Sequence, residues 1–207
     1  IGGSLAKGIK KARPDIRIMA YMRTRSKLEQ AKKDGIVDVI LDGIDEQLKQ
    51  CDLIFLCTPV EYNAQYLSKI RSYLKPGALI TDVGSTKTDI HEEILRQGLT
   101  DCFVGGHPMA GSEKTSYTYA NDRLVENAYY AITPTDAVCK ERVEEFTEIV
   151  QGIGAIPINI SYEEHDKVVA TISHLPHLIA ASLVNLVKHN DSKNEYMKTM
   201  AAGGFKD

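Results

Sequence analysis

The stretch 52–60, DLIFLCTPV, constrains the fold of this chain more than any other. It is an almost unbroken apolar run closed by Thr58-Pro59. A strand with one wet face alternates apolar and polar residues, whereas a strand buried on both faces has no need to. That condition is met in parallel sheets covered by helices on each side. The neighbouring segments supply such helices. Residues 5–11 suit a short amphipathic helix that Pro14-Asp15 breaks, residues 16–21 (IRIMAY) read as a strand, and residues 23–33 return to helix, stopped at Gly35. Residues 63–74 carry apolar side chains at helical spacing before Pro76-Gly77 turns the chain. Residues 78–87, ALITDVGSTK, then repeat the plan of apolar strand and small-residue turn, leading into a helix that runs to about Gln97.

Phe103 and Val104 predict another short strand before a loop at His107. Residues 128–133 (AYYAIT) predict one more strand, residues 136–152 a helix capped by Thr135 or Asp136, and residues 155–160 a last strand. Strands alternating with helices imply βαβ units, so residues 1–160 are expected to form a Rossmann-like, doubly wound parallel α/β domain. Ligands of such sheets lie beyond the carboxyl ends of the strands. Three of those ends, at Thr58-Pro59, Gly84-Ser85 and Gly105-Gly106-His107, carry small, hydroxylated or ionisable residues and are expected to converge on one crevice.

After Ile160 the alternation stops. Ser161 with Glu164 three residues on reads as a capping box opening a long helix or a broken pair, to about His189. Val168, Ile172, Leu175, Leu178, Ile179, Leu183 and Leu186 make it too apolar for one exposed helix. Residues 161–207 are therefore expected to begin an all-helical domain that forms a homodimer. The chain opens on Ile1-Gly2-Gly3-Ser4 ahead of a helix with no strand before it, and closes on GGFKD, which reads as a fragment truncated at both ends.

Composition narrows the partners. At 43% hydrophobic and 26% charged, the 207 residues are ordinary globular material, and a net charge of −3 argues against a large nucleic-acid footprint. The four cysteines show no CxxC pairing and read as buried free thiols of a reducing compartment. No unbroken apolar run reaches the roughly 20 residues of a membrane span. A soluble, cytoplasmic protein with a small-molecule substrate and no membrane partner is expected.

The chemistry concentrates in residues 102–114, CFVGGHPMAGSEK. Gly105 and Gly106 let the backbone pass close to a neighbour, and His107, held by Pro108, is poised to exchange a proton near neutral pH. Ser85, beside Gly84 at a strand end, is a helix cap whose hydroxyl can also face the crevice. Gly2 and Gly3 start a helix without bulk, which suits a pyrophosphate on helix amides, although two glycines at a helix start more often reflect close packing. After the second strand, where an acidic residue would hold the ribose of NAD, stand Met22, Arg23 and Arg25. The cofactor is thus expected to be NAD or NADP, with Met22-Arg23 tilting toward NADP. His174 and His177 in SHLPH are three apart and raise zinc. An HExxH carboxylate is missing and Pro176 interrupts them, so an anion-binding or structural role is expected and no metal.

Together these residues resemble the prephenate dehydrogenase family of tyrosine biosynthesis. The resemblance is carried by IGGS at the start, TDVGSTK at 81–87, GGHPMAGSEK at 105–114, SHLPH at 173–177 and GGFKD at 203–207. It implies oxidative decarboxylation of prephenate to 4-hydroxyphenylpyruvate with hydride transfer to NAD(P). Arogenate dehydrogenase, or a non-catalytic dinucleotide-binding dimerisation module, is the alternative. It further implies His107 as catalytic histidine, with Ser85 holding the substrate hydroxyl and histidine in register. Glu113, His174, His177 and Lys206 would face substrate, Asp166 would lie near them, and Thr58, Pro59 and Val60 would lie against the cofactor. The sequence departs from the family pattern in missing the first two fingerprint glycines with their strand and the arginine just beyond GGFKD.

Overall fold

The computed structural model describes residues 1–112 and 114–206. The chain divides into two compact units, Ile1–Asp166 and Lys167–Asp207. In the first, α1 (Gly2–Ala12), β1 (Met19–Ala20), α2 (Ser26–Lys33) and β2 (Val39–Ile40) precede β3 (Leu53–Leu56) and α3 (Asn63–Ile70). Then follow β4 (Leu79–Asp82), α4 (Thr88–Gln97), β5 (Val104–Pro108), β6 (Tyr129–Pro134), α5 (Lys140–Gly152) and β7 (Ile156–Asn159). The strands β1 and β2 pair in parallel, and so do β3 and β4, in the register Leu53 opposite Leu79 through Leu56 opposite Asp82. A single parallel bridge from Ile80 to Phe103 links β4 to the start of β5.

The β4 strand is buried along its whole length, whereas β3, formed from the apolar run 52–60, is buried at Leu56 and only half-buried at Leu53, Ile54 and Phe55. Successive side chains point to opposite faces. Leu79 enters a cluster with Leu5, Val104, Tyr130, Ile132, Phe146 and Val150, while Ile80 enters a second with Leu56, Leu67, Ile90, Ile94 and Phe103. Helices on both faces make alternation unnecessary. Each presents an apolar stripe at helical spacing, as Ile90 and Ile94 do on α4, which ends at Gly98 with a left-handed φ of 66°.

Three expectations need correction. Strand β6 pairs antiparallel with β5 and parallel with β7, so this part of the sheet is mixed. A parallel return needs a crossover element, and between β5 and β6 the described chain forms only a short turn, Tyr117–Tyr119. Helix α5 begins at Lys140 after Cys139, without a side-chain cap. The Thr135 hydroxyl is engaged elsewhere, donating to the carbonyls of Thr100 and Phe103. All four cysteines are free, but Cys57, just past β3, and Cys139, at the start of α5, are exposed rather than buried.

Helix α6 (Tyr162–Val169) opens as the sequence requires, the Ser161 hydroxyl accepting from the Glu164 amide at 3.2 Å. In the second unit a π-helical turn, Ala170–His174, precedes α7 (Leu175–Asn190), followed by α8 (Tyr196–Met200) and α9 (Gly203–Lys206). Pro176 donates no hydrogen bond and its ring crowds the carbonyl four residues back, which the wider turn accommodates. Leu178, Ile179, Leu183, Val184 and Leu186 of α7 are exposed. The run Tyr162–Asn190 is long and apolar enough to cross a membrane by length and composition, with a mean hydropathy of 1.4 over 18 residues. Scattered polar residues break the run without outweighing its apolar ones, so run length alone did not show it.

Candidate active site

The β4–α4 turn is built on a buried ion pair. Asp82 and Lys87, both 0% exposed, face each other across it. Burial lowers the ammonium pKa of Lys87, and the adjoining Asp82 charge opposes the shift. The Asp82 carboxylate also accepts from the Gly84 amide at 2.8 Å and the Gly106 amide at 3.1 Å. One buried anion thereby ties the end of β4 to the middle of β5. An acid in an apolar strand with a lysine five residues on is the sequence signature of such a pair, and reading TDVGSTK for its serine alone passed over it.

Of the paired glycines, Gly106 approaches Asp82 and Gly105 approaches Thr133 and His91. A Cβ on Gly106 would lie 2.7 Å from the Asp82 carbonyl, 2.9 Å from the Tyr130 hydroxyl and 3.0 Å from Thr81 Oγ1. A Cβ on Gly105 would collide with Thr133 Oγ1 and stand 3.0 Å from His91 Nε2. His91 is hydrogen-bonded to Thr133 at 2.9 Å and stacked on Tyr162 with ring centroids 4.4 Å apart. Burial, reinforced by the Lys87 charge, pushes it down to about 4, so it is neutral at physiological pH.

His107 lies inside β5, opposite Ala131, rather than in a loop beyond the strand. The glycines extend the strand because their missing side chains let the backbone settle onto Asp82 and Thr133. Half-buried, His107 meets His165 of α6, Nδ1 to Nε2 at 2.9 Å, with the rings edge to face. His165, 2% exposed, continues through Nδ1 to Asp166 Oδ1 at 2.8 Å. Asp166 in turn accepts from the Lys87 amide at 2.7 Å and from the Thr88 amide and hydroxyl at 2.8 and 2.6 Å. Burial works against its ionised form, but these donors prevail and hold its pKa below the usual carboxylate value. His165 was not singled out from the sequence. Its signal was an adjacent His-Asp pair in the first turns of a capped helix.

The structure gathers several other candidates at the same strand ends. A Cβ on Gly84 would sit 2.7 Å from Val60, and a Cβ on Gly2 would sit 3.0 Å from the Cys57 Cβ. The turns after β3 and β4 and the first turn of α1 are therefore in contact. Gly3 has the same tight fit, against Ala120 and Tyr117 at 3.0 and 3.1 Å, so close packing accounts for both N-terminal glycines. Ser85 is exposed beside them, Pro59 is exposed, and Thr58 donates to Asn63 at 2.9 Å. Arg23 lies over the Tyr62 ring at 5.6 Å, while Arg25 is paired with Asp42 and Glu29.

The remaining candidates fall elsewhere. His174, closing the π-turn, and His177, in the first turn of α7, are exposed residues of the second unit. Lys206 is the last residue of α9, and Glu113 lies outside the described residues. Among the described residues, no cluster of three or more histidine, cysteine or carboxylate side chains could hold a metal ion.

Comparison with known proteins places this geometry. The nucleotide-binding domain of prephenate dehydrogenase matches residues 5–159 and the dimerization domain of prephenate dehydrogenase matches residues 161–207. The prephenate dehydrogenase of Bacillus subtilis is 39% identical over the whole chain, which spans 56% of that protein's length. The prephenate dehydrogenase of Aquifex aeolicus, solved with hydroxyphenyl propionate and NAD+, superposes with a TM-score of 0.91 at 31% identity, over 100% of this chain and 72% of that one. The arogenate dehydrogenase of Synechocystis gives 0.87, also at 31% identity, over 100% and 73%. A histidine strand wired to a buried carboxylate, set among the strand ends of a Rossmann-like unit and matched along nearly its whole length, identifies this chain as a member of the prephenate dehydrogenase family.

Proposed function

We propose that the protein containing this chain converts prephenate to 4-hydroxyphenylpyruvate, passing hydride to NAD or NADP, as a step of tyrosine biosynthesis. The observation that carries this reading is His107, fixed on β5 among the strand ends where a Rossmann-like sheet binds its ligands. Oxidising a ring alcohol to a ketone removes a proton from oxygen and a hydride from the same carbon. His107 accepts the proton, and a base in that position typically contributes about 10²–10⁴-fold. Loss of carbon dioxide then makes the ring aromatic, which draws the reaction forward.

The strand ends fit a dinucleotide. Gly2 and Gly84 bring the first turn of α1 and the turn after β4 against the turn bearing Thr58, Pro59 and Val60, and Arg23 with Tyr62 offers a cationic and aromatic edge. A bound NAD(P) supplies the hydride acceptor. Ser85 would hold the substrate hydroxyl in register with His107, Glu113 would stand at the site entrance, and His174, His177 and Lys206 would line the substrate pocket. The second unit, with its exposed apolar helix, would form a homodimer.

Arogenate is the second reading, because the arogenate dehydrogenase of Synechocystis matches at the same identity as the Aquifex enzyme. Reduction of NAD and of NADP by the full-length protein, followed at the nicotinamide absorbance with prephenate and then arogenate, separates the two. His107→Asn is expected to lower turnover at least about 100-fold with cofactor binding retained. Undiminished turnover by the folded variant would remove His107 from the chemistry. No reduction with either substrate would leave a non-catalytic dinucleotide-binding module.

A further inference from the structure

We propose that His165 and Asp166 are positioning residues that set the tautomer of His107 and so choose the nitrogen on which it takes up the substrate proton. The inference rests on the reading of His107 as the proton acceptor and goes beyond it. It follows from counting donors along the chain of hydrogen bonds His107 Nδ1, His165 Nε2, His165 Nδ1, Asp166 Oδ1.

An ionised carboxylate only accepts hydrogen bonds. The carboxylate of Asp166 accepts from two backbone amides and the Thr88 hydroxyl, which keeps it ionised. His165 Nδ1 must therefore carry a hydrogen to donate to it. In neutral His165 the lone pair then falls on Nε2, which must accept from its partner. His107 Nδ1 is that partner and must carry the hydrogen. Neutral His107 is thus the Nδ1–H tautomer, with its lone pair on Nε2. Proton uptake at Nε2 gives an imidazolium whose Nδ1–H faces a basic nitrogen backed by a carboxylate. The positive charge that forms during the reaction is stabilised by a partner already in place.

The linkage is built to hold this orientation. Its outer end, Asp166, is fixed by the backbone at Lys87 and Thr88, where α4 starts. The middle ring is buried, and His165 is one of the partners His107 has. Of the neighbouring charges, Lys87 interacts with Asp166 and is paired with Asp82, while Glu163 on α6 acts on the neutral His91. Outer partners that orient an imidazole typically matter about 10- to 100-fold in metal sites, and the same geometric argument applies to a proton acceptor.

The test uses the full-length protein with prephenate and its preferred nicotinamide cofactor. His165→Asn is expected to lower kcat by about 10- to 100-fold, with the KM for cofactor unchanged and the acidic limb of the pH–rate profile displaced. Asp166→Asn keeps an acceptor oxygen for His165 Nδ1 and the Lys87 amide but removes the carboxylate charge behind His165, and is expected to lower kcat with the tautomers unchanged. Nitrogen-15 shifts of the imidazoles in the unmutated protein read the tautomer directly and keep the proposal testable if either variant fails to fold. A neutral His107 carrying its hydrogen on Nε2 would overturn it. So would folded His165→Asn with unchanged kcat and pH profile. If His107→Asn itself keeps full turnover, the failure lies in the reading of His107 rather than in the linkage.

Discussion

Gly106 shows how little room the site leaves at single positions. Its amide is held by the Asp82 carboxylate, and the space a side chain would need belongs to the Asp82 carbonyl, Thr81 and the buried hydroxyl of Tyr130. Two of those obstacles are anchored in β4, so the strand cannot give without moving the core on both its faces. Gly106→Ala is expected to destabilise the protein by about 1–3 kcal/mol through overpacking, seen as a lower denaturation midpoint with unchanged slope. A loss below about 0.5 kcal/mol would mean that β5 is not held against β4 as described. The sequence showed the glycines and the histidine but not what they approach. Asp82, Thr133, His91 and Tyr130 lie as many as 28 positions from Gly105, and only pairing of the strands brings them together.

At the scale of elements, the legible parts were those with a local signal. Helix α4 was readable from Ile90, Ile94 and Gly98, and the start of α6 from Ser161 and Glu164, because each needs only its own neighbours. The direction of β6 was not readable, since pairing is decided by the connection before it. The His165–Asp166 pair gained meaning only when α6 was set against β5 and the start of α4. The layer formed by α4, β6 and the first turn of α6 also carries a pH dependence. Unfolded His91 takes up a proton near pH 6.5, whereas in the folded protein, buried against Thr133 and Tyr162, it does so only near 4. Between those values the unfolded chain binds more protons, so acidification favours unfolding. Stability is expected to be unaffected by this group above pH 6.5 and to fall by on the order of 1–3 kcal/mol on approaching pH 4. Replacing His91 by glutamine, which keeps a partner for Thr133, should flatten that part of the stability–pH curve. An unchanged curve would assign the acid sensitivity to other groups.

At the scale of the whole molecule, the two units solve different problems. The first packs apolar clusters on both faces of β4, while α7 leaves Leu178, Ile179, Leu183, Val184 and Leu186 exposed. With the match of this segment to a dimerization domain, that face is expected to be covered by a second copy. Leu183→Glu, at a position 48% exposed in the single chain, should weaken self-association on the order of 100-fold. Light scattering of the full-length variant over a dilution series would show it as monomer where the parent is dimeric. A variant that stays dimeric would place the interface elsewhere. Within the first unit, Asp82 has a consequence of another kind. The turn bearing Ser85 and the strand bearing His107 are anchored to the same carboxylate, so thermal displacement of that anchor carries both together. Their motion is common-mode: the gap between them fluctuates less than either position does. In the proposed reaction that gap separates the group that would hold the substrate hydroxyl from the one that would take its proton.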